Sequence, residues 1–181
     1  MNQAVFLDRD GVLSRGVLRA GKSYAPKKLA DFRLMPYAAD SVRKLQDAGF
    51  LVIVVTNQPD VGNGFVRPEI VNAMHEKLFH KTRINDIYVC PHRPDEGCRC
   101  RKPNPGMLLS AAEKHKINLN RSIMVGDRAS DVEAAKRVGC QAIFIDRKYS
   151  EPPPVVQDAT VKSLKAATLL ILNKKGIENI W

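Results

Sequence analysis

The stretch Val5-Phe6-Leu7-Asp8-Arg9-Asp10-Gly11-Val12 decides the fold. A short apolar run rich in Val and Phe reads as a buried strand. It ends abruptly in two carboxylates, Asp8 and Asp10, followed by a glycine. In an α/β sheet, residues just past the carboxyl end of a strand line the crevice where ligands bind. The spacing of Asp8 and Asp10 puts both acids on one loop edge, close enough to share a divalent cation. Ionised aspartates are rarely buried without a metal or a cationic partner. The plainer alternative is a solvated turn, because Asp-Gly is a common turn pair.

Three further pieces weigh against that alternative. Leu51-Val52-Ile53-Val54-Val55 leads into Thr56-Asn57-Gln58, and Ile123-Met124-Val125 leads into Gly126-Asp127-Arg128, with Asp131 one helical turn later. Arg101-Lys102-Pro103 lies beyond a cysteine cluster. In this order and spacing the set resembles the haloacid-dehalogenase-like phosphohydrolases. Their four motifs are an Asp-x-Asp, a Thr or Ser, a Lys, and a terminal Gly-Asp pair. The resemblance runs from Val5 to about Ile145. It implies a Rossmann-type doubly wound sheet and phosphate transfer through an aspartyl-phosphate.

The same residues make chemical sense by themselves. Phosphate monoester hydrolysis is among the slowest uncatalysed reactions, and its charge is spread over three oxygens. A site needs a nucleophile, a proton donor and concentrated positive charge. Asp8 suits the nucleophile, and Asp10 the general acid and base. Lys102 is a point charge for the transferring phosphoryl group, with the Thr56 hydroxyl beside it. Mg²⁺ suits an oxygen-only site built from Asp8 and Asp127, and the resemblance adds the backbone carbonyl of Asp10. Asp131 has two readings: it could support the metal from outside, or complement the start of a helix expected over 129–138. The role of Arg128 is open.

Cys90-Pro91-His92 and Cys98-Arg99-Cys100 supply four soft or borderline ligands in a loop over 90–100. They fit a closed, structural zinc site of tetrahedral geometry. The alternatives are a disulfide or unpaired thiols. A Cys98–Cys100 disulfide would close a very small strained ring, and clustered cysteines without a targeting segment more often bind metal. Cys140 reads as an ordinary buried thiol.

This cluster, placed directly before Arg101-Lys102-Pro103-Asn104-Pro105-Gly106-Met107, resembles one branch of the family. That branch contains the D-glycero-D-manno-heptose 1,7-bisphosphate phosphatases and the histidinol-phosphate phosphatases. The Pro-Gly-Met continuation favours the heptose enzymes, and with them removal of the 7-phosphate. The short run between His92 and Cys98 resembles the histidinol-phosphate side. The resemblance implies substrate contacts for Arg101, Asn57 and Gln58. Heptose enzymes usually continue Ser-Gly-Ile-Ala-Arg-Gly after Gln58, whereas this chain reads Pro59-Asp60-Val61-Gly62-Asn63-Gly64, so a rim cation is lost. The stretch 14–28 carries Arg15, Arg19, Lys22, Lys27 and Lys28, which could replace it.

Strand-like and helix-like segments alternate, which predicts a parallel doubly wound sheet. Helices are expected over about 36–48, from Pro68, over 107–116 and over 160–172, and strands over 87–90 and 141–145. Residues 1–181 are expected to form one domain without a cap, because neither Asp10–Thr56 nor Thr56–Lys102 leaves room for an insert. His75, His80 and His115 are expected on solvated helix faces, and Ile177, Ile180 and Trp181 to pack down.

With 44% hydrophobic and 27% charged residues, the chain reads as a soluble globular protein. No apolar stretch approaches the roughly 18 residues of a membrane span, and no secretory leader precedes Asp8, so a cytoplasmic monomer is expected. The net charge of +10 attracts phosphorylated ligands and also nucleic acid. A polynucleotide 3′-phosphatase shares this chemistry. Against it, aromatics total only 6% and the basic stretch offers little for base stacking beyond Tyr24. A catalytically silent, zinc-stapled binding module is the remaining reading, and the joint presence of Asp8, Asp10, Thr56, Lys102 and Asp127 argues against it.

Overall fold

The computed structural model describes residues 1–178. Its centre is a sheet of six parallel strands: β1 (Ala4–Leu7), β4 (Leu51–Asn57), β5 (Asp86–Cys90), β6 (Ile123–Gly126), β7 (Gln141–Ile145) and β8 (Ala159–Val161). They lie in the order β5-β4-β1-β6-β7-β8. The chain moves outward from β1 through β4 to β5, then returns to the other side of β1 with β6. That reversal makes the crevice beside β1 the ligand-binding position of a doubly wound sheet. Asp8, Thr56 and Asp127 stand there, at the ends of β1, β4 and β6.

Strand alternation splits the core into two layers. Val5 and Leu7 face a cluster that includes Val42 and Leu45 of α1 (Ala38–Asp47), Met74 and Leu78 of α3 (Pro68–Thr82), and Leu164 and Ile171 of α6 (Leu164–Glu178). Ala4 and Phe6 face Leu108 and Ala111 of α4 (Gly106–His115), and Val132 and Ala135 of α5 (Ala129–Lys136). β1 is buried on both faces, as an interior parallel strand must be. No helix among the described residues is long and apolar enough to cross a membrane.

Two regions differ from the sequence expectation. Thr160 does not begin the last helix. Ala159–Val161 pairs with Ile143–Ile145, where β-branched residues pack well. The helix starts at Leu164, and the Ser163 hydroxyl accepts from the Ala166 N–H at 3.1 Å. The basic stretch is not a plain loop either. Val17–Arg19 (β2) and Lys22–Tyr24 (β3) form an antiparallel hairpin. Its turn residues Ala20 and Gly21 have φ of 47° and 72°, the positive pair that a two-residue hairpin requires. A four-residue helix, α2 (Pro59–Gly62), follows β4. The expectation for Ile177, Ile180 and Trp181 concerns side chains outside the described ones.

At the end of β6, a β-carbon on Gly126 would lie 2.2 Å from the Asp131 β-carbon. The glycine is what lets α5 start so close to the strand. Gly126→Ala is expected to cost about 1–3 kcal/mol through overpacking. Urea denaturation checks this, and an unchanged midpoint would mean that α5 can step aside.

Candidate active site

Lys102 is the centre of the site. It is buried, with its ammonium 2.8 Å from Asp8 Oδ1 and 2.6 Å from Asp131 Oδ1, and it donates to the Val55 carbonyl at 2.7 Å. The ammonium thus hydrogen-bonds Asp8 and Val55 and faces Asp131 as an ion pair. Burial works against its charge, but the Asp131 and Asp8 carboxylates hold it above the usual lysine range. The Asn57 side chain fixes the backbone of Lys102: its amide nitrogen donates to the Lys102 carbonyl and its oxygen accepts from the Lys102 N–H, both at 3.1 Å.

Asp8, Asp127 and Asp131 are all buried, and each offers an oxygen within 4.8 Å of the others. Burial pushes the Asp8 carboxyl up to about 6, offset in part by Lys102. Burial and the neighbouring Asp8 and Asp131 charges raise Asp127 well above the usual carboxylate range. Three carboxylates share the single ammonium of Lys102 in this group, and Asp127 Oδ1 is buried without a hydrogen-bond partner. A divalent cation with hard oxygen ligands fits this excess of negative charge and bare oxygen.

Asp131 satisfies neither sequence reading alone. Its Oδ2 accepts from the N–H groups of Asp127 and Arg128 at 3.1 and 3.0 Å, capping α5, while Oδ1 holds Lys102. Capping α5 and pairing with Lys102 are one side chain's work.

Asp10 is ringed by donors. Arg9 reaches its Oδ2 with Nε at 3.0 Å and a terminal nitrogen at 2.7 Å. Gln58 Nε2 reaches the same oxygen at 2.9 Å, and Ser14 Oγ reaches Oδ1 at 2.9 Å. Gln58, expected to face substrate, is buried, and its amide also donates to Thr56 Oγ1 at 2.9 Å. Asn57 and Arg101 do line the cleft, together with Asp8, Asp10, Thr56 and Lys102. Lys22, Ser23 and Tyr24 of the hairpin form its opposite lip, with Arg128 and Glu151. Arg128 donates twice to Glu151 at 3.0 Å and once to the Ser23 carbonyl, so it latches the hairpin.

Sequence reasoning missed Arg9, which is 0% exposed. An arginine between two acids reads as solvated, yet here it lies over the Phe32 ring, 5.4 Å from its centroid. The solvated reading of His75 is also corrected: its Nε2 lies 2.9 Å from Arg9 Nη1. His115 likewise pairs with Asp86 at 2.7 Å.

The cysteine loop converges as a tetrahedron would. Cys90 Sγ lies 3.6 Å from both Cys98 Sγ and His92 Nδ1. Cys100 Sγ lies 3.6 Å from Cys98 Sγ and 3.1 Å from His92 Nδ1. Metal–sulfur bonds of about 2.3 Å imply tetrahedral edges of about 3.8 Å. None of these cysteines forms a disulfide. The Cys98 carbonyl accepts from Asn104 Nδ2 at 2.8 Å, so the cluster is tied to the segment carrying Lys102.

A parallel sheet with this carboxylate–lysine crevice defines a haloacid-dehalogenase-like hydrolase. A family model described as “HAD-hyrolase-like” matches residues 99–167. A D-glycero-D-manno-heptose-1,7-bisphosphate 7-phosphatase of Thermosynechococcus vestitus is 35% identical over 82% of this chain and 81% of its own. The D-glycero-beta-D-manno-heptose-1,7-bisphosphate 7-phosphatase of Helicobacter pylori strain 26695 is 34% identical over 90% of this chain and 95% of its own. The crystal structure of D,D-heptose 1,7-bisphosphate phosphatase from B. bronchiseptica, complexed with magnesium and phosphate, superposes with a TM-score of 0.83 at 26% identity, covering 95% of this chain and 99% of that one. The chain belongs to the heptose-1,7-bisphosphate 7-phosphatase family of these hydrolases.

Burial, then the Arg9 charge, lowers the His75 pKa from 6.5 to about 4. The folded protein therefore resists protonation that the unfolded chain accepts. Stability from this group is complete above pH 6.5 and falls as pH drops from 6.5 to about 4. The loss is on the order of 3 kcal/mol at most. His75→Gln is expected to flatten that limb of the stability profile, measured by urea denaturation between pH 7.5 and 4. An unchanged slope would show that His75 does not cause it.

Proposed function

We propose that the protein is a Mg²⁺-dependent phosphatase that removes the 7-phosphate of D-glycero-D-manno-heptose 1,7-bisphosphate. The observation that carries this reading is the buried group of Asp8, Asp127 and Asp131, two of them paired with Lys102, beside a cleft whose walls present Lys22 and Arg101. The named activity of the relatives supports the substrate.

Asp8, Asp127 and the backbone carbonyl of Asp10 would hold Mg²⁺, with Asp131 alongside. Bound Mg²⁺ would neutralise phosphate charge so that a carboxylate can approach it. Asp8 attacks phosphorus, and the bond from phosphorus to the sugar oxygen breaks, leaving an aspartyl-phosphate. Asp10 gives its proton to that departing oxygen. It then takes a proton from the water that attacks the aspartyl-phosphate, releasing inorganic phosphate and restoring Asp8. Lys102 stays against Asp8 and supplies positive charge to the transferring group, and the Thr56 hydroxyl adds a donor. Gln58 orients Asp10 and Thr56. Arg101 and Lys22, on the cleft walls, offer cations to the phosphate that is retained.

Zn²⁺ would fill the Cys90, His92, Cys98 and Cys100 cluster as a structural ion that anchors the loop leading to Lys102. The cleft is completed within one chain, so a monomer suffices, and reduced thiols at a zinc site suit the cytoplasm.

Asp8→Asn is expected to abolish turnover under Mg²⁺ while the protein remains folded. More than trace activity in that variant removes Asp8 from the nucleophile's role. Arg101→Ala should lose more kcat/KM on the heptose bisphosphate than on an aryl phosphate. A preference of the unsubstituted enzyme for histidinol phosphate or a 3′-phosphorylated oligonucleotide overturns the substrate.

Metal analysis of protein purified without added metal is expected to find about one zinc per chain. Cys98→Ser should lower both zinc content and Tm. Full stability in a zinc-depleted Cys98→Ser protein would show that the loop stands without metal.

A further inference from the structure

The segment after β7 returns to the cleft at three points. Arg147 Nε donates to the Gly11 carbonyl at 2.8 Å, and the Ser150 N–H donates to the Gly21 carbonyl of the hairpin turn at 2.9 Å. Between them, the Tyr149 hydroxyl donates to Asp127 Oδ2 at 2.8 Å. A β-carbon on Gly11 would lie 1.7 Å from Asp127 Oδ2 and 2.9 Å from the Tyr149 hydroxyl. The glycine of the Asp-x-Asp-Gly turn therefore makes the room in which this bond forms.

The two oxygens of Asp127 are thus unlike. Oδ2 is committed to Tyr149, while Oδ1 is buried with no hydrogen-bond partner. We propose that Tyr149 sets the cation preference of the site: by occupying Oδ2 it leaves Asp127 one oxygen to give, which suits Mg²⁺ and disfavours Ca²⁺. The inference rests on the reading that Asp8 and Asp127 hold Mg²⁺.

The physical ground is the difference between the two ions. Mg²⁺ is small, demands near-octahedral order and takes single oxygens from its carboxylates. Ca²⁺ gathers six to eight oxygens and often grips a carboxylate by both. A two-oxygen grip on Asp127 would displace the tyrosine hydroxyl from its bond to Oδ2, and the site would lose that hydrogen bond. Tyr149 meets the site through its hydrogen bond to Asp127 Oδ2, so it acts as a positioning residue through Asp127.

The test is metal binding without turnover. Mn²⁺ binding to the full-length protein is followed by electron paramagnetic resonance, and Mg²⁺ and Ca²⁺ are titrated as competitors against unsubstituted protein and Tyr149→Phe. Loss of such an outer hydrogen bond typically weakens metal affinity 10–100-fold. The expected result is an Mg²⁺ Kd raised at least about tenfold in Tyr149→Phe, with the Ca²⁺ Kd unchanged or lower. Equal weakening of both ions would mean a general loosening and overturn the proposal, as would no change in either. Failure of the unsubstituted protein to bind Mn²⁺ would instead sink the cation reading itself, and this inference with it. Tyr149→Phe removes one oxygen and keeps the ring, and a thermal melt confirms that the fold is retained.

Discussion

The ammonium of Lys102, locked between Asp8 and Asp131, is the contact on which the rest of the site depends. It joins three parts of the chain that share no secondary structure: the end of β1, the loop after the cysteine cluster and the first turn of α5. A buried charge without a partner is expensive, so removing any one member leaves the others badly placed. The arrangement still carries more negative than positive charge, because Asp127 stands beside it with a bare oxygen. Such an imbalance is costly in an empty fold and useful in a metal-loaded one, a trade of stability for function expected at active sites.

The cysteine loop and β4 are best understood as the means of delivering that lysine. Lys102 lies on no helix or strand, and a loop residue alone would be too mobile for a buried ion pair. Two restraints fix it. The Asn57 amide pairs with both its N–H and its carbonyl, continuing β4 by one side chain. On the other side, the convergent Cys90, His92, Cys98 and Cys100 hold the preceding turn. A bound ion there would act on catalysis through position, without touching substrate.

The legible parts of the sequence were those whose physics is local. Apolar runs bounded by turn residues gave the strands, because a parallel strand buried on both faces has no polar position to spare. The motif residues Asp8, Thr56, Lys102 and Asp127 were legible because each sits at a strand end or next to the cysteine cluster. Arg9, His75 and Tyr149 were not. Arg9 is buried only because Phe32 and His75 come from distant segments to join its neighbour Asp10 in receiving it, and Tyr149 reaches Asp127 only because β7 lies beside β6. The hairpin was hidden for a related reason. Its turn uses Ala20 at positive φ, a position where glycine or asparagine would have been the signal. Gln58 shows the limit of motif transfer, since adjacency to Thr56 did not reveal that its amide turns inward to Asp10.

The two acids of the opening motif are distinguished by their surroundings, as acid–base pairs in enzymes commonly are. Asp8 faces Lys102 and the other carboxylates, an environment suited to binding a cation and attacking phosphorus. Asp10 is held by Arg9, Gln58 and Ser14, an environment suited to a fixed aim. A residue that must gain and lose a proton also needs a partner that tolerates both states, and Arg9, which only donates, cannot be that partner. Ser14 can. Its hydroxyl has one proton and two acceptors in reach, Asp10 Oδ1 at 2.9 Å and the Arg9 carbonyl at 3.1 Å. Donating to the Arg9 carbonyl leaves its oxygen able to accept from a protonated Asp10, and donating to Asp10 suits the carboxylate. A buried serine beside Asp10 thus offers that carboxyl a partner able either to donate or to accept.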